Sequence, residues 1–315
     1  AVLAAGGVTL WARNIVFGPG PLKGQAILVI EQGSSLRGIT EALQRSGVIR
    51  EPWVFMAWAR ISERHQFLKA GEYAFGPGVS QEEVIGKLVA HDTLSRFLTV
   101  PEGLTSVEVL ELLAGNPYLS GVVEDFPADG SILPETYHYA YGDDRAQIVR
   151  RMQQDMKTLL AELWPRRAKG LPLKSLDEAI VLASIVEKET SLAAERPHIA
   201  GVFINRLRKG MRLQSDPTVA YALTDGQAPL DRKLTRKDLK VDHPYNTYVI
   251  KGLPPGAIAN PGREALEAVL KPMETDDLYF VADGKGGHAF AKTLKQHNRN
   301  VARWRKLSRQ KQNDQ

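Results

Sequence analysis

The spacing of apolar and polar residues divides the chain into an uncharged start, a compact run of alternating strand and helix signals, and a longer region of helices separated by Pro- and Gly-rich turns. Residues 1–12 form an apolar run that stops at Arg13. A helix needs about 20 residues to span a bilayer. The run is therefore expected to be the end of a longer membrane or signal segment, or else a frayed terminus. Gly18-Pro19-Gly20-Pro21 then reads as a linker, because Gly and Pro break the helix before them. From Gln25 the pattern becomes an aliphatic strand over 27–30, a Gly33-Ser34-Ser35 turn and a helix over 36–46. A second helix is predicted over 52–61 and a returning strand over 71–75. Ser80 caps a helix to about residue 90, with Glu83 three positions on completing a capping box. Another strand, turn and helix follow over 97–100, 101–103 and up to residue 114, with Thr105 or Ser106 as the cap. Residues 125–142 are too rich in Pro, Gly and Tyr for a long helix, and 144–164 has an amphipathic helical period. The expected fold class is α+β. Residues 1–23 are the end of an anchor and a linker, 24–95 a small βα domain, and 96–315 a larger mixed α+β domain.

The most informative helix is predicted over 177–194. Ser175-Leu176-Asp177-Glu178 is a second capping box at its start, and its first ten residues are apolar on nearly every side, which predicts burial. At about 100° per residue, Leu182, Ile185 and Val186 fall within about 60° of Glu189, whereas Glu187 points the opposite way with Ile180 and Ala183. A carboxylic acid continuing the apolar face would have its charged form disfavoured by desolvation, which suits a general acid at neutral pH. The residues alone leave alternatives open. Glu189 would equally serve as an exposed residue of the last turn or as the partner of Arg196 or Arg206, and Glu187 is the second candidate.

Composition narrows the chemistry. With 43% hydrophobic and 24% charged residues the bulk of the chain should fold. There is no cysteine, so disulfides, thiolate zinc sites and Cys nucleophiles are excluded, and no HExxH spacing is present among the seven histidines. Lys and Arg exceed Asp and Glu by 41 to 36, partly through a basic tail of Arg303, Arg305, Lys306, Arg309 and Lys311. That tail reads as a solvated helix end. The basic residues are otherwise scattered and lack interleaved aromatics, which argues against nucleic acid as a partner. Asp283-Gly284-Lys285-Gly286-Gly287-His288 is a Gly-rich turn between strand-like segments without phosphate-loop spacing, and His288 reads as a structural hydrogen-bonder. No metal or cofactor is expected.

Ala183-Ser-Ile-Val-Glu-Lys-Glu-Thr190 resembles the signature of the endolytic murein transglycosylases, the MltG or YceG-like family. The resemblance continues through Val202-Phe-Ile-Asn-Arg-Leu207, Met211-Arg-Leu-Gln-Ser-Asp-Pro-Thr218, Tyr245-Asn-Thr-Tyr248, the Gly252 to Gly262 block and Tyr279-Phe-Val-Ala-Asp-Gly-Lys-Gly-Gly-His288. Upstream, Phe67-Leu-Lys-Ala-Gly-Glu-Tyr73 and Val100-Pro-Glu-Gly103 also match. The resemblance implies that Glu189, directly before Thr190, is the catalytic residue. It would protonate the MurNAc–GlcNAc bond and then take a proton from the C6 hydroxyl of the same MurNAc, so that 1,6-anhydroMurNAc ends form without water.

The same resemblance implies an amino-terminal transmembrane helix in the bacterial inner membrane, a periplasmic catalytic domain and a LysM-like domain at 24–95. Its expected partners are peptidoglycan glycan strands and cell-wall synthases, and its expected role is to cut within nascent strands and end their elongation. Thr190, Glu135, Tyr137, Gln214, Ser215, Asp216, Tyr245, Asn246 and Tyr248 are the candidates for contacting sugar. Asp216-Pro217 and Asn246-Thr247 are equally suited to turns and caps. The chain departs from the family at Asp129-Gly130-Ser131-Ile132-Leu133-Pro134-Glu135-Thr136-Tyr137, where the usual aromatic pair is missing. A different class of function, a non-catalytic peptidoglycan-binding scaffold, is disfavoured by the intact 187–190 block.

Overall fold

The computed structural model describes residues 2–313, so Ala1, the first residue of the expected apolar run, lies outside the described residues, as do Asp314 and Gln315 at the end of the expected second domain. The fold is mixed α+β, with helices predominating and strands confined to three two-stranded sheets, β1–β2, β3–β4 and β5–β6. The elements up to the first sheet pair and its successor are α1 (Val2–Phe17), β1 (Ala26–Ile30), α2 (Leu36–Arg45), α3 (Pro52–Ile61), β2 (Gly71–Phe75), α4 (Gln81–Ala90) and β3 (Arg96–Thr99). After them come α5 (Ser106–Ala114), β4 (Thr136–Tyr139), α6 (Arg145–Leu163), α7 (Leu176–Glu189), α8 (Arg196–Arg208), α9 (Asp216–Thr224), α10 (Arg263–Leu270), β5 (Tyr279–Ala282), β6 (His288–Ala291) and α11 (Leu294–Asn313). The chain separates into two compact units. One is Ala1–Leu98 with Pro117–Ser120 and His138–Asp144, and the other is Thr99–Asn116, Gly121–Tyr137 and Arg145–Gln315.

In the first unit β1 and β2 pair antiparallel, Ala26 opposite Phe75 and Ile30 opposite Gly71. Tyr73 and Phe75 face a core that includes Leu43, Phe55, Ile85 and Leu88. The capping box of α4 forms as the sequence predicts: Glu83 N donates to Ser80 Oγ at 3.2 Å and Ser80 N donates to Glu83 Oε2 at 2.8 Å. Two expectations change. Helix α1 runs on through Arg13 to Phe17, with Trp11 stacked on Trp53 and Phe17 edge-on to Trp58, both at 5.4 Å. The Gly-Pro stretch is not a free linker, because Gly20 N donates to Gly78 O at 3.1 Å and Gly78 N to Leu22 O at 2.8 Å. Among the described residues no helix is long and apolar enough to cross a membrane.

The second unit is built around α7, whose residues Ala179 and Val181 through Glu187 are all buried. Leu182, Ile185 and Val186 pack with Ile199 and Phe203 of α8 and Leu266 and Val269 of α10. Each such buried side chain contributes about 1.5–3 kcal/mol. Thr105 caps α5 in a full capping box, with Thr105 N on Glu108 Oε2 at 2.7 Å. At α7 the box is half formed. Ser175 Oγ accepts from Glu178 N at 3.2 Å, but the Glu178 carboxylate takes Lys174 N at 2.5 Å instead of the cap's own N–H. The helix also ends five residues earlier than the sequence suggests. Thr190 is extended (φ −148°, ψ 137°) and its Oγ1 accepts from Leu192 N at 3.0 Å, a local turn that competes with helix. Glu189 is thereby the last helical residue.

Candidate active site

Two carboxylates of α7 reach different surroundings. Glu187 is buried and fully engaged: Arg196 Nη2 donates to its Oε1 at 2.7 Å and Gly262 N to its Oε2 at 2.9 Å. Arg196 also holds Glu264 at 2.7 Å and Glu102 at 3.0 Å, so Glu187 belongs to an ion-pair cluster that joins α7, α8 and α10. Glu189 has one bond among the described residues, from Ser215 Oγ to Oε1. The helical phase correctly sends the two side chains apart, and desolvation acts on the Glu189 carboxyl as the apolar face predicts, although Glu187 is as a whole residue the less exposed of the two. What separates them is the number of polar partners each has.

The Glu189 carboxyl lies deep among protein atoms while the residue keeps some surface open to solvent. Burial pushes its pKa up from 4.5 to about 7, and the nearby charge of Asp216 pushes the same way. The Ser215 bond and the charge of Arg206 oppose the rise without cancelling it. Neither arginine that the sequence offers as a structural partner pairs with Glu189. Arg196 is taken by Glu187, and Arg206 donates to the carbonyls of Leu278 and Leu213, each at 2.6 Å. The group is thus close to half-protonated at neutral pH, the condition for giving a proton and then taking one.

Residues 28–303 match the profile of the YceG-like family. A Bacillus subtilis protein named endolytic murein transglycosylase is 33% identical over 301 residues, covering 86% of this chain and 82% of the relative. The chain belongs to the YceG-like family. A Streptococcus pneumoniae protein of the same name is 27% identical over 322 residues, and there the match spans 57% of the relative's length. The 2.6 Å crystal structure of a YceG-like protein from Listeria monocytogenes is 32% identical, with a TM-score of 0.58, 87% of this chain and 98% of that chain covered.

In this YceG-like chain the candidate acid is supported by a hydroxyl network that sequence reasoning missed. Gln214 has φ +52°, which turns the chain so that Ser215, at the N-terminus of α9, sits buried against Glu189. Ser215 N donates to Thr247 Oγ1 at 2.9 Å, and Thr218 Oγ1 donates to Ser215 O at 2.7 Å. Thr218 Oγ1 and Thr247 Oγ1 lie 2.8 Å apart. Since the Thr218 proton is committed to Ser215 O, the Thr247 hydroxyl is the donor between them. Both threonines are fully buried. They lie inside the quoted blocks at 211–218 and 245–248, and only the pairing of α9 with the 246–250 turn brings them together.

The other sequence candidates divide into open and engaged groups. Asp216 is exposed and accepts from Tyr248 Oη at 2.6 Å. Gln214 is exposed, and Tyr245 is half-buried with its ring 4.7 Å from Tyr221. Tyr221 Oη in turn donates to Asp129 at 2.7 Å. Asn246 is fully buried, its amide nitrogen on the carbonyls of Val241 and Leu239 at 2.7 and 3.3 Å. Thr190 forms the turn after α7. Tyr137 is buried with its hydroxyl on Leu133 O at 2.7 Å, and Glu135 is exposed and not among the groups acting on Glu189. Beside Asp216 and Lys188 opens a cavity of about 420 Å³, walled by Pro217, Tyr221, Leu230 and Ile258.

Asn260, fully buried, holds the departing 129–132 segment in place: its Oδ1 accepts from Gly130 N at 2.9 Å and Ile132 N at 3.1 Å. Gly130 has φ +81°, and a Cβ there would meet Ile180 Cγ2 at 2.5 Å and Ala257 Cβ at 2.8 Å. Glycine is required at that turn whatever flanks it. His288 pairs with Glu195 at 2.7 Å, a structural contact.

Proposed function

We propose that this enzyme is an endolytic peptidoglycan lytic transglycosylase that cleaves MurNAc–GlcNAc bonds within glycan strands and leaves 1,6-anhydroMurNAc ends. The observation that carries the proposal is Glu189, a carboxyl titrating at about 7 at the end of α7 with one oxygen held by Ser215. Because Ser215 donates to Oε1, the proton of the acid form resides on Oε2, the atom free to meet the glycosidic oxygen. Proton transfer from Oε2 releases the GlcNAc-side hydroxyl. The carboxylate then accepts the C6 hydroxyl proton as O6 closes on C1, so one proton leaves the enzyme and one returns. A hydrolase would need a second carboxylate to activate water. The acidic neighbour acting on Glu189 is Asp216, and it is bound to the Tyr248 hydroxyl.

Gln214, Asp216, Tyr245 and Tyr248 are the side chains we assign to sugar contact, with the cavity beside Asp216 as the path of the strand. We further assign residues 24–95 as LysM-like, and place the enzyme in the inner membrane through a single amino-terminal span, with the catalytic region 96–315 in the periplasm, where it ends strand elongation beside the synthases. The competing reading, a non-catalytic scaffold, gives no reason for a carboxyl held near neutrality beside a buried serine. Digestion of purified glycan strands tests the assignment. Glu189→Gln should abolish cleavage with the fold intact, by the 10²-fold to 10⁴-fold or more that general acid catalysis contributes. Full activity of Glu189→Gln would refute it.

A further inference from the structure

Helix α11 carries seven Lys or Arg residues and no Asp or Glu. The whole chain has a net charge of +5, so without this helix the remainder would be acidic by two. The helix packs on the β5–β6 hairpin through one side. His297 stacks on Tyr279 at 5.2 Å, Asn300 Nδ2 reaches Phe290 O at 3.4 Å, and Leu307 closes over Gly284. At about 100° per residue, these contacts and half-buried Val301 share one face.

Lys295, Arg299, Arg303, Arg305, Lys306 and Arg309 are all exposed, and none forms an ion pair among the described residues. Counted around the axis, they fall within an arc of about 160° centred opposite the packed face, and along it they span roughly 20 Å. Cations scattered for solubility would be interspersed with carboxylates, as on α6.

We propose that the outer face of α11 binds an anionic lipid surface, lying flat on the phosphates of a bilayer. The row of cations is convex and has no groove or outward aromatic between them to grip bases or sugars, and Trp304 turns toward the packed side. A convex basic stripe matches a plane of phosphates, and four to eight Lys or Arg on one helix is the number such recognition uses. The exposed large apolar residues of the helix, Leu294 and Trp304, fall outside that arc, so attachment through it is electrostatic and reversible with salt. This inference is independent of the catalytic proposal.

The test is co-sedimentation of the purified chain with vesicles of phosphatidylcholine alone or with an equal part of phosphatidylglycerol. Each cation near the surface contributes about fivefold in binding, so the triple variant R299Q/R303Q/K306Q should lose roughly 100-fold on the anionic vesicles. Binding to the neutral vesicles, which reports any contribution of α1, should be unchanged. Circular dichroism and cleavage of soluble strands serve as folding controls, since none of the three residues is in the Glu189 site. Wild-type binding should also fall steeply with added salt, a readout that stands if the variant misfolds. Equal binding of variant and wild type, or binding indifferent to salt, would overturn the proposal. Capture of soluble polyphosphate without capture of the vesicles would overturn it too, in favour of a polymer site.

Discussion

Glu189→Gln should make the protein more stable at alkaline pH while it removes activity. The Glu189 carboxyl stands at about 7 in the fold against an ordinary 4.5, because burial disfavours its charge. Below pH 4.5 the folded and unfolded chains both hold the proton, and the substitution changes little. As pH rises from 4.5 to about 7, the unfolded chain ionises first, so wild-type stability falls; above about 7 the loss is complete. That gap corresponds to about 3 kcal/mol at 1.36 kcal/mol per pH unit. Glutamine has no proton to lose and keeps an oxygen for the Ser215 hydroxyl, so its stability follows the wild type's in acid and exceeds it in base. Urea unfolding of both proteins at about pH 4 and about pH 8 isolates the effect, since every other titrating group is common to the two. A difference that does not grow with pH, or a glutamine variant less stable at the higher pH, would refute the reasoning that burial holds this carboxyl near neutrality.

Local signals in the sequence were enough to place most elements of the first unit. Strands β1 and β2 and helices α2 to α4 fall within a residue of their predicted bounds, because each is short and punctuated by a Gly turn or a Ser cap. The same logic overran at α7, where Ala193 and Ala194 read as helical but a single β-branched Thr190 turned the chain out. The choice of Glu189 over Glu187 was legible in the motif, and its physical basis was not. Arg196 lies nine residues from Glu187, but the cluster also needs Glu102 and Glu264, which only the packing of α7, α8 and α10 brings within reach. Ser215 is 26 residues from Glu189, and of the threonines behind it Thr218 lies one turn on in α9 while Thr247 comes from a further segment. Polar networks of this kind carry no period, so no local pattern announces them.

Ser215→Ala removes the bond that lowers the Glu189 pKa, so the alkaline limb of the rate against pH should move to higher pH, with the plateau rate lower by roughly 10-fold to 100-fold; a plateau loss without any movement of the limb would mean that Ser215 only supports the fold. Arg196→Met leaves Glu187 buried without its cation and should destabilise by about 3–5 kcal/mol, with activity per folded molecule retained, as read by urea unfolding and a strand digest. Asn260→Ala orphans the N–H groups of Gly130 and Ile132 and should cost about 1–3 kcal/mol per group by the same unfolding assay; a change under half of that would show that the 129–132 segment is held otherwise.

Mass spectrometry of the products from purified, uncapped glycan strands tests the central claim most directly. An anhydro end is lighter than a reducing end by one water, and product length separates internal cuts from release of disaccharides at an end. A single carboxyl that gives and retakes one proton predicts that every newly formed end is 1,6-anhydroMurNAc; the endolytic reading, which follows from the family, adds oligosaccharides of mixed length; and Glu189→Gln should give neither. Newly formed reducing MurNAc ends, beyond those the strands carried at the start, would contradict it, since water would then be the nucleophile and a second carboxylate would have to activate it.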